Sequence, residues 1–372
     1  MRRLLLVVCS ALALAGPAHA GTPRIDARSF FVVNASTGDV VASRDAHERV
    51  PIASLTKLMT VLVALEHARL NDVVTVQRDA AEVGESTIHL KAGEHITVHD
   101  LVEAALVQSA NDAADALADY VGHDDASAFV SLMNAKARSL GLDETHFARP
   151  DGLDAPDHFS SARDVTALAR VAMHSRVIRS VVRERTATIA GGRHLHTWND
   201  LLGVFPGLFG VKTGHTSRAG WCEVAAARGH GVTIYATILG SPSRSQRNAD
   251  LAALLRWGLS RYRLRRVIAT GRTYALVQTG FGRAGLPLVA AGVVRRAARV
   301  DRPLVVHVVA AAAVSLPVVA RERLGVVRVY EGRRLLGTRS LVAARTVTRP
   351  GLGGRLGFYS RRTLHHLWGF FS

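Results

Sequence analysis

The densest apolar block of the chain runs from Leu55 almost unbroken to Leu70, directly after Pro51-Ile52-Ala53-Ser54. It is hydrophobic on every side rather than along one stripe, which predicts a helix buried in a core. Before it, Phe30 to Ser43 alternates around Thr37-Gly38 and predicts a β-hairpin. After it come short strands at Val73–Val76 and Gly93–Val98, then Asp100 as the cap of a helix reaching Val107. A second apolar helical run covers 113–121. An amphipathic helix over 127–140 stops at Gly141, and another spans 163–175. Ala219–Ala227 and Val232–Leu239 predict antiparallel strands, and Gln246–Leu259 a helix.

Beyond residue 260 the pattern becomes short and valine-rich. Strands are predicted at Val267–Thr270, Tyr274–Thr279, Leu304–Val309, Val326–Tyr330 and Arg339–Val342, with a hairpin turn at Glu331-Gly332-Arg333. Leu304–Ala320 is interrupted by His307, Ser315 and Pro317, so it reads as two strands rather than a membrane span. Together these predict a small β-rich domain over residues 264–346.

The two ends carry a different pattern. Arg2-Arg3, the apolar run Leu4–Ala15 and Ala18-His19-Ala20 have the order of an export signal over residues 1–20. Only Cys222 remains after that segment, so no internal disulfide is available. In the tail, 350–372, Leu356, Tyr359, Leu364, Leu367, Trp368 and Phe371 share one side of a helix, largely opposite Arg355, Arg362, His365 and His366. That predicts an amphipathic segment lying in a membrane interface.

Charge divides the chain. Residues 261–372 hold 21 arginines against Asp301, Glu322 and Glu331, while 21–260 hold 24 basic and 27 acidic residues. In a cytosolic protein the basic third would suggest nucleic acid. Export directs it instead to an anionic membrane surface or wall polymer, with no nucleic acid.

Lysine usage narrows the chemistry. Of 47 basic residues only Lys57, Lys91, Lys136 and Lys212 are lysine. Arginine cannot give up its proton, so lysine is kept where a titratable or compact cation is needed. Lys57 lies one helical turn after Ser54, within reach of its hydroxyl, at a helix N-terminus that disfavours a cation. A neutral Lys57 can serve as base to a Ser54 nucleophile; the plainer reading is a serine cap. A second polar cluster, Gln108-Ser109-Ala110-Asn111-Asp112, interrupts two apolar helical runs. It either caps the second helix or projects Ser109 and Asn111 into a cleft. A third, Gly210-Val211-Lys212-Thr213-Gly214-His215-Thr216, ends a short strand. There Lys212 is either an edge-strand charge or a ligand group, and Gly214 would let a ligand backbone approach.

Ser54-x-x-Lys57, Ser109-x-Asn111 and Lys212-Thr213-Gly214, in that order, resemble the motifs of the penicillin-recognising serine enzymes. The flanking residues resemble the D-alanyl-D-alanine carboxypeptidases among the low-molecular-mass penicillin-binding proteins. Leu132-Met133-Asn134, Gly152-Leu153-Asp154 and Ser161-Ala162-Arg163-Asp164 share in that likeness, which covers about 28–260. Phe209 departs from it, standing where an acidic residue is usual. The resemblance implies an α/β (α+β) fold like that of serine β-lactamases. An antiparallel sheet would be flanked by helices, with a helical subdomain, in a catalytic domain over 21–260, followed by the β-rich domain. It implies a Ser54 acyl-enzyme formed on the D-Ala-D-Ala terminus of the peptidoglycan stem peptide, with β-lactams as covalent inhibitors and no cofactor. Lys57 would be the base, its pKa lowered by the helix terminus and by Lys212, and Ser109 the proton relay. Asn111 would orient the peptide, and the Ser54 and His215 N–H groups would form the oxyanion hole. Lys212 and Thr213 would take the carboxylate beside Gly214. Arg247 is either a further carboxylate ligand or a solvated helix-start arginine. The location implied is periplasmic, at the outer face of the cytoplasmic membrane. A DD-endopeptidase would use the same residues. A class A β-lactamase would need a Glu-x-x-x-Asn loop, which neither Glu144 nor Glu184 supplies. A silent wall-peptide binder would not need Ser54 and Lys57.

Overall fold

The computed structural model describes the backbone of Leu4–Cys9, residues 21–281 and 284–354, and positions 356 and 360. Two compact units make up the chain: Ala20–Ser260, and Met1–His19 together with Arg261–Ser372.

The first unit is built on a five-stranded antiparallel sheet. Its strands are Ser29–Asn34 (β1), Val40–Arg44 (β2), Leu208–Thr216 (β3), Gly220–Gly229 (β4) and Val232–Ser241 (β5), in the order β2-β1-β5-β4-β3. Helices cover both faces. Thr166 of Ala162–Ala172 bonds the Thr237 hydroxyl at 2.6 Å, while Gly258 of Arg244–Ser260 packs against Ile234. Ile234 and Thr237 point to opposite sides of β5, because side chains alternate along a strand. Burial on both faces explains why β4 and β5 read as nearly continuous apolar runs. The edge strand β3, the end strand of the sheet, carries the Lys212 motif.

Beside the sheet, Lys57–His67 (α1) packs against Asn111–Gly122 (α2) and Ala126–Ser139. Leu58, Met59, Leu101, Leu117 and Phe129 are fully buried in the core they share. The helix before Ser109 begins differently from the sequence reading. Thr97 is its cap, its Oγ1 accepting the Asp100 N–H at 3.1 Å, and Asp100 falls in the first turn. Val98–Glu103 is α-helical, and a wider π turn, Ala104–Gln108, delivers Ser109 in the left-handed region, φ 67° and ψ 31°.

The second unit has a six-stranded sheet in the order Leu4–Cys9, Leu304–Ala311, Arg323–Glu331, Arg334–Ala343, Leu286–Ala290 and Thr273–Val277. Val308, Val327, Val329, Leu288 and Leu341 form its core. A two-stranded ribbon, Tyr262–Ile268 with Val294–Arg299, completes it. Two readings change here. Leu304–Ala320 supplies one strand, not two; past Ala311 it is loop, with Val318 bridging Val347. The first strand spans Tyr262–Ile268 rather than 267–270, because its partner Val294–Arg299 was itself hidden by Arg295, Arg296 and Arg299. In the ribbon Arg265 faces Arg296 and Arg266 faces Arg295, all four exposed.

Leu4–Cys9 pairs along Leu304–Ala311. The rest of residues 1–20, expected as an export signal, and most of the expected amphipathic segment 350–372 lie outside the described residues. Among the described residues no helix is long and apolar enough to cross a membrane.

Candidate active site

Ser54 sits in a single 3-10 turn, Ala53–Thr56, that runs into α1. The turn is strained and stapled. Ala53 has φ 50°, which a side chain opposes by about 1–2 kcal/mol. Thr56 Oγ1 donates to the Ala53 carbonyl at 2.8 Å and pairs with His158 Nε2 at 2.8 Å. His158 Nδ1 accepts the Ala148 N–H at 3.0 Å, so its proton lies on Nε2, and burial holds its pKa down at about 4. Two glycines let the flanking chain close on this turn. A Cβ at Gly152, whose φ is 85°, would lie 2.3 Å from the Ala53 oxygen. One at Gly214 would lie 2.9 Å from the Ser54 nitrogen. Gly214 therefore admits the nucleophile's own turn, where the sequence reading expected a ligand backbone.

Lys57 is fully buried, and its Nζ reaches Ser54 Oγ at 2.9 Å, Asn111 Oδ1 at 2.7 Å and the Asp151 carbonyl at 2.6 Å. A neutral amine has two N–H bonds and one lone pair. Asn111 and Asp151 can only accept, so they take both N–H groups and leave the lone pair for the Ser54 proton. The pKa of Lys57 is lowered to about 8 by burial; Asp151, Asp115, Asp112 and Glu85 pull the other way. Burial is the first cause of that lowering.

Lys212 is also buried, donating to Ser109 Oγ at 2.8 Å and to the Thr213 carbonyl at 2.9 Å. Its pKa lies well below the usual lysine value, first through burial and then through the charge of Lys57. Asn111 opens α2 and donates its Nδ2 to the Gly84 carbonyl at 2.9 Å, tying the second motif to the 84–90 loop.

Above these groups lies a cleft of about 210 Å³ lined by Ser54, Glu85, Ser86, Ser109, Asn111, Leu153, Trp198, Thr213, Gly214, His215, Trp221 and Arg247. Both motif lysines lie beneath its floor. A larger cleft of about 780 Å³, lined by Asp115, Asp119 and Arg149 among others, contains none of the motif residues, so the smaller one is taken as the site. His215 is exposed and stacks on Trp221, ring centroids 4.1 Å apart. Arg247 is 1% exposed, which overturns the solvated reading. Its Nε pairs with Glu223 at 3.1 Å and its Nη2 with Asp200 at 3.2 Å, and it lies over Trp221. Glu223 is fully buried in β4, with its pKa pushed up to about 7 by burial and held back by Arg247.

Sequence reasoning missed Asp151, Gly152, Trp198, Trp221, Glu85 and Glu223 as parts of this site. Each enters through a contact distant in sequence; only the positive-φ Gly152 left a local trace. Outside the cleft, His99, Asp100 and Glu103 bring ligand atoms within 4.8 Å of one another on the helix Val98–Glu103.

Residues 17–243 match the D-alanyl-D-alanine carboxypeptidase family. The chain is 30% identical over 359 residues to the D-alanyl-D-alanine carboxypeptidase DacD of Salmonella typhimurium, covering 91% of this chain and 90% of that one. It is 33% identical over 309 residues to DacA of Escherichia coli, covering 76% and 75%. Among solved structures, the DD-transpeptidase of Streptomyces K15 superposes with a TM-score of 0.61 at 32% identity, over 64% of this chain and 99% of that one. DacD of Francisella tularensis, at 24% identity, shares the fold with a TM-score of 0.66 over 92% and 98%.

Proposed function

The chain belongs to the D-alanyl-D-alanine carboxypeptidase family, and from its cleft we propose how its residues divide the reaction. It is a serine-type carboxypeptidase that removes the terminal D-alanine of the peptidoglycan pentapeptide and binds penicillin. Ser54 attacks the carbonyl between the two D-alanines while its proton passes to Lys57 Nζ. Backbone N–H groups of Ser54 and His215 receive the oxyanion. As the C–N bond breaks, Ser109 hands its proton to the departing amine and takes in return the one Lys57 accepted from Ser54; water then cleaves the ester, one of its protons restoring the Ser54 hydroxyl. Asn111 orients the acyl amide. Thr213, Lys212 and Arg247 receive the terminal carboxylate. Arg247 suits that role because Glu223 and Asp200 fix its guanidinium against the cleft.

The observation that carries this reading is the Lys57 amine, fully buried and 2.9 Å from Ser54 Oγ with two other acceptors fixed. Purified protein should release D-alanine from a pentapeptide ending in D-Ala-D-Ala, and Ser54→Ala should not. Cleavage of cross-linked dimeric peptide alone would instead make the enzyme an endopeptidase. The pH profile carries the sign of the base. With a pKa of about 8 only the deprotonated amine is active, so acylation by penicillin should rise about tenfold from pH 6 to 7 and level off above 8. A rate that falls over that interval excludes Lys57 as base.

Residues 21–260 are read as the catalytic domain and 264–346 as an accessory β domain, after a cleaved export signal at 1–20. The protein then acts in the periplasm at the outer face of the cytoplasmic membrane. The facing arginine pairs at 265–296 and 266–295 support an anionic surface as partner, as does the amphipathic pattern of 350–372. Removing 350–372 should shift the protein from the membrane pellet to the supernatant; pelleting unchanged by the deletion overturns the tail's part.

A further inference from the structure

Glu223 is an acid that the reaction does not use, in a place where acids are costly. It sits in β4 directly opposite Thr213 of β3, so its side chain leaves the sheet on the same face as that ligand group. It is fully buried, and among the described residues neither carboxylate oxygen accepts a hydrogen bond. A buried carboxylate is ordinarily both paired and hydrogen-bonded, because it has lost its water. Here the contact is ionic only, 3.1 Å from Arg247 Nε, whose N–H is aimed at Asn248 Oδ1.

Arg247 is held in place without Glu223. Its Nη2 bonds Asn248 Oδ1 at 2.7 Å and Asp200 Oδ2 at 3.2 Å, and its guanidinium lies over Trp221. Among the described residues Nη1 has no hydrogen-bond partner, which leaves its two N–H groups for a ligand. What Glu223 contributes is charge. The charged groups that face it are Arg247 and Arg244 of the helix Arg244–Ser260, Asp200 from the segment before β3, and Lys212 of β3. Arg244 and Asp200 cancel as a bidentate pair at 2.7 and 2.5 Å. Burial pushes Lys212 towards its neutral form. Of the lysines and arginines among the described residues, only Arg247 lines the cleft. One cation therefore faces two carboxylates, Glu223 from beneath and the substrate's C-terminus from the cleft. With both ionised the dry pocket holds an excess negative charge, which low-dielectric surroundings resist. A proton on Glu223 removes the excess and frees Arg247 for the ligand.

We propose that Glu223 is a specificity-determining residue that competes with the substrate's terminal carboxylate for Arg247 and yields by taking up a proton from solvent. This rests on the carboxypeptidase reading and adds to it a proton bound together with the substrate. Burial pushes the pKa of Glu223 up to about 7, and Arg247 pulls it back. The ligand carboxylate, of like charge, raises it further. Affinity is then full below pH 7 and declines above it, by about tenfold between pH 6 and pH 8.

The test uses Ser54→Ala protein, which binds without turnover, and a peptide ending in D-alanyl-D-alanine with every amine blocked. Binding is read from the fluorescence of Trp198 and Trp221, which line the cleft. The dissociation constant should rise about tenfold from pH 6 to pH 8. Adding Glu223→Gln should leave it unchanged at pH 6 and make it about tenfold lower at pH 8. The same peptide with a C-terminal amide should bind more weakly, and equally at both pH values. A constant that does not move with pH, or a rise that survives in Glu223→Gln or with the amide, overturns the proposal. Should Glu223→Gln fail to fold, the pH series on Ser54→Ala with the two peptides decides by itself. Absence of binding at both pH values, like absence of D-alanine release by the wild type, overturns the carboxypeptidase reading instead. Acylation at saturating penicillin, which reports Lys57, stays outside this competition.

Discussion

Lys57→Arg is expected to fold and yet lose penicillin acylation and D-alanine release by about 10³-fold or more. Arginine keeps the charge that Asp112, Asp115 and Asp151 favour at this position. It cannot surrender a proton, and its planar fork has no lone pair to offer the Ser54 hydroxyl. The slot is closed, with Lys57 fully buried, so the larger head group costs about 1–3 kcal/mol of overpacking. That is small beside an ordinary domain stability of about 5–15 kcal/mol. The loss should therefore appear in the mass of the covalent penicillin adduct over time while the circular dichroism melt stays cooperative and moves by roughly 2–12 °C. Acylation near the wild-type rate would remove Lys57 from the mechanism.

The second large effect is structural in origin. Gly152→Ala should destabilise the protein by about 3 kcal/mol and slow acylation together. The new Cβ would meet the Ala53 oxygen at 2.3 Å and Thr56 Oγ1 at 2.9 Å, at a φ of 85° that an L side chain resists. None of those atoms is the free end of a flexible side chain. Thr56 is held by His158, and Ala53 is part of the strained turn. Relief must come from moving the Ser54 turn or the 149–153 loop, and the same loop supplies the Asp151 carbonyl to Lys57. For a unit of this size the melting point should drop by roughly 6–12 °C. An alanine variant with an unchanged melt and unchanged acylation would show that the two segments are not in the contact described.

How much was legible follows from what is local. Ser54 and Lys57 share a helical turn, so their meeting is written in a spacing of three. Ser109 and Asn111 were visible because a polar group interrupts two apolar runs, and Lys212 because lysine is so rare here. The tuning of Lys57 was not legible, because burial depends on neighbours far along the chain, and burial dominates its pKa. For the same reason Arg247 could be a solvated arginine or a ligand until its burial against Glu223 was seen. In the C-terminal unit, Leu286–Ala290 and Val294–Arg299 escaped notice because Pro287 and the pair Arg295-Arg296 mask the strand pattern. Sheet partners, rather than side-chain alternation, make those segments extended.

The facing arginines of the Tyr262–Ile268 ribbon have a thermodynamic consequence. Like charges directly across an antiparallel pair each cost a few tenths of a kcal/mol to about 1 kcal/mol, and that cost falls as ions gather around them. The ribbon is therefore most stable where counterions are concentrated, and least stable in dilute solution of low ionic strength. Fixed anions give up their own condensed cations when the arginines arrive, so part of the driving force is the entropy of small ions released into bulk water. Through two cross-strand pairs, the fold of this unit becomes a measure of its ionic surroundings.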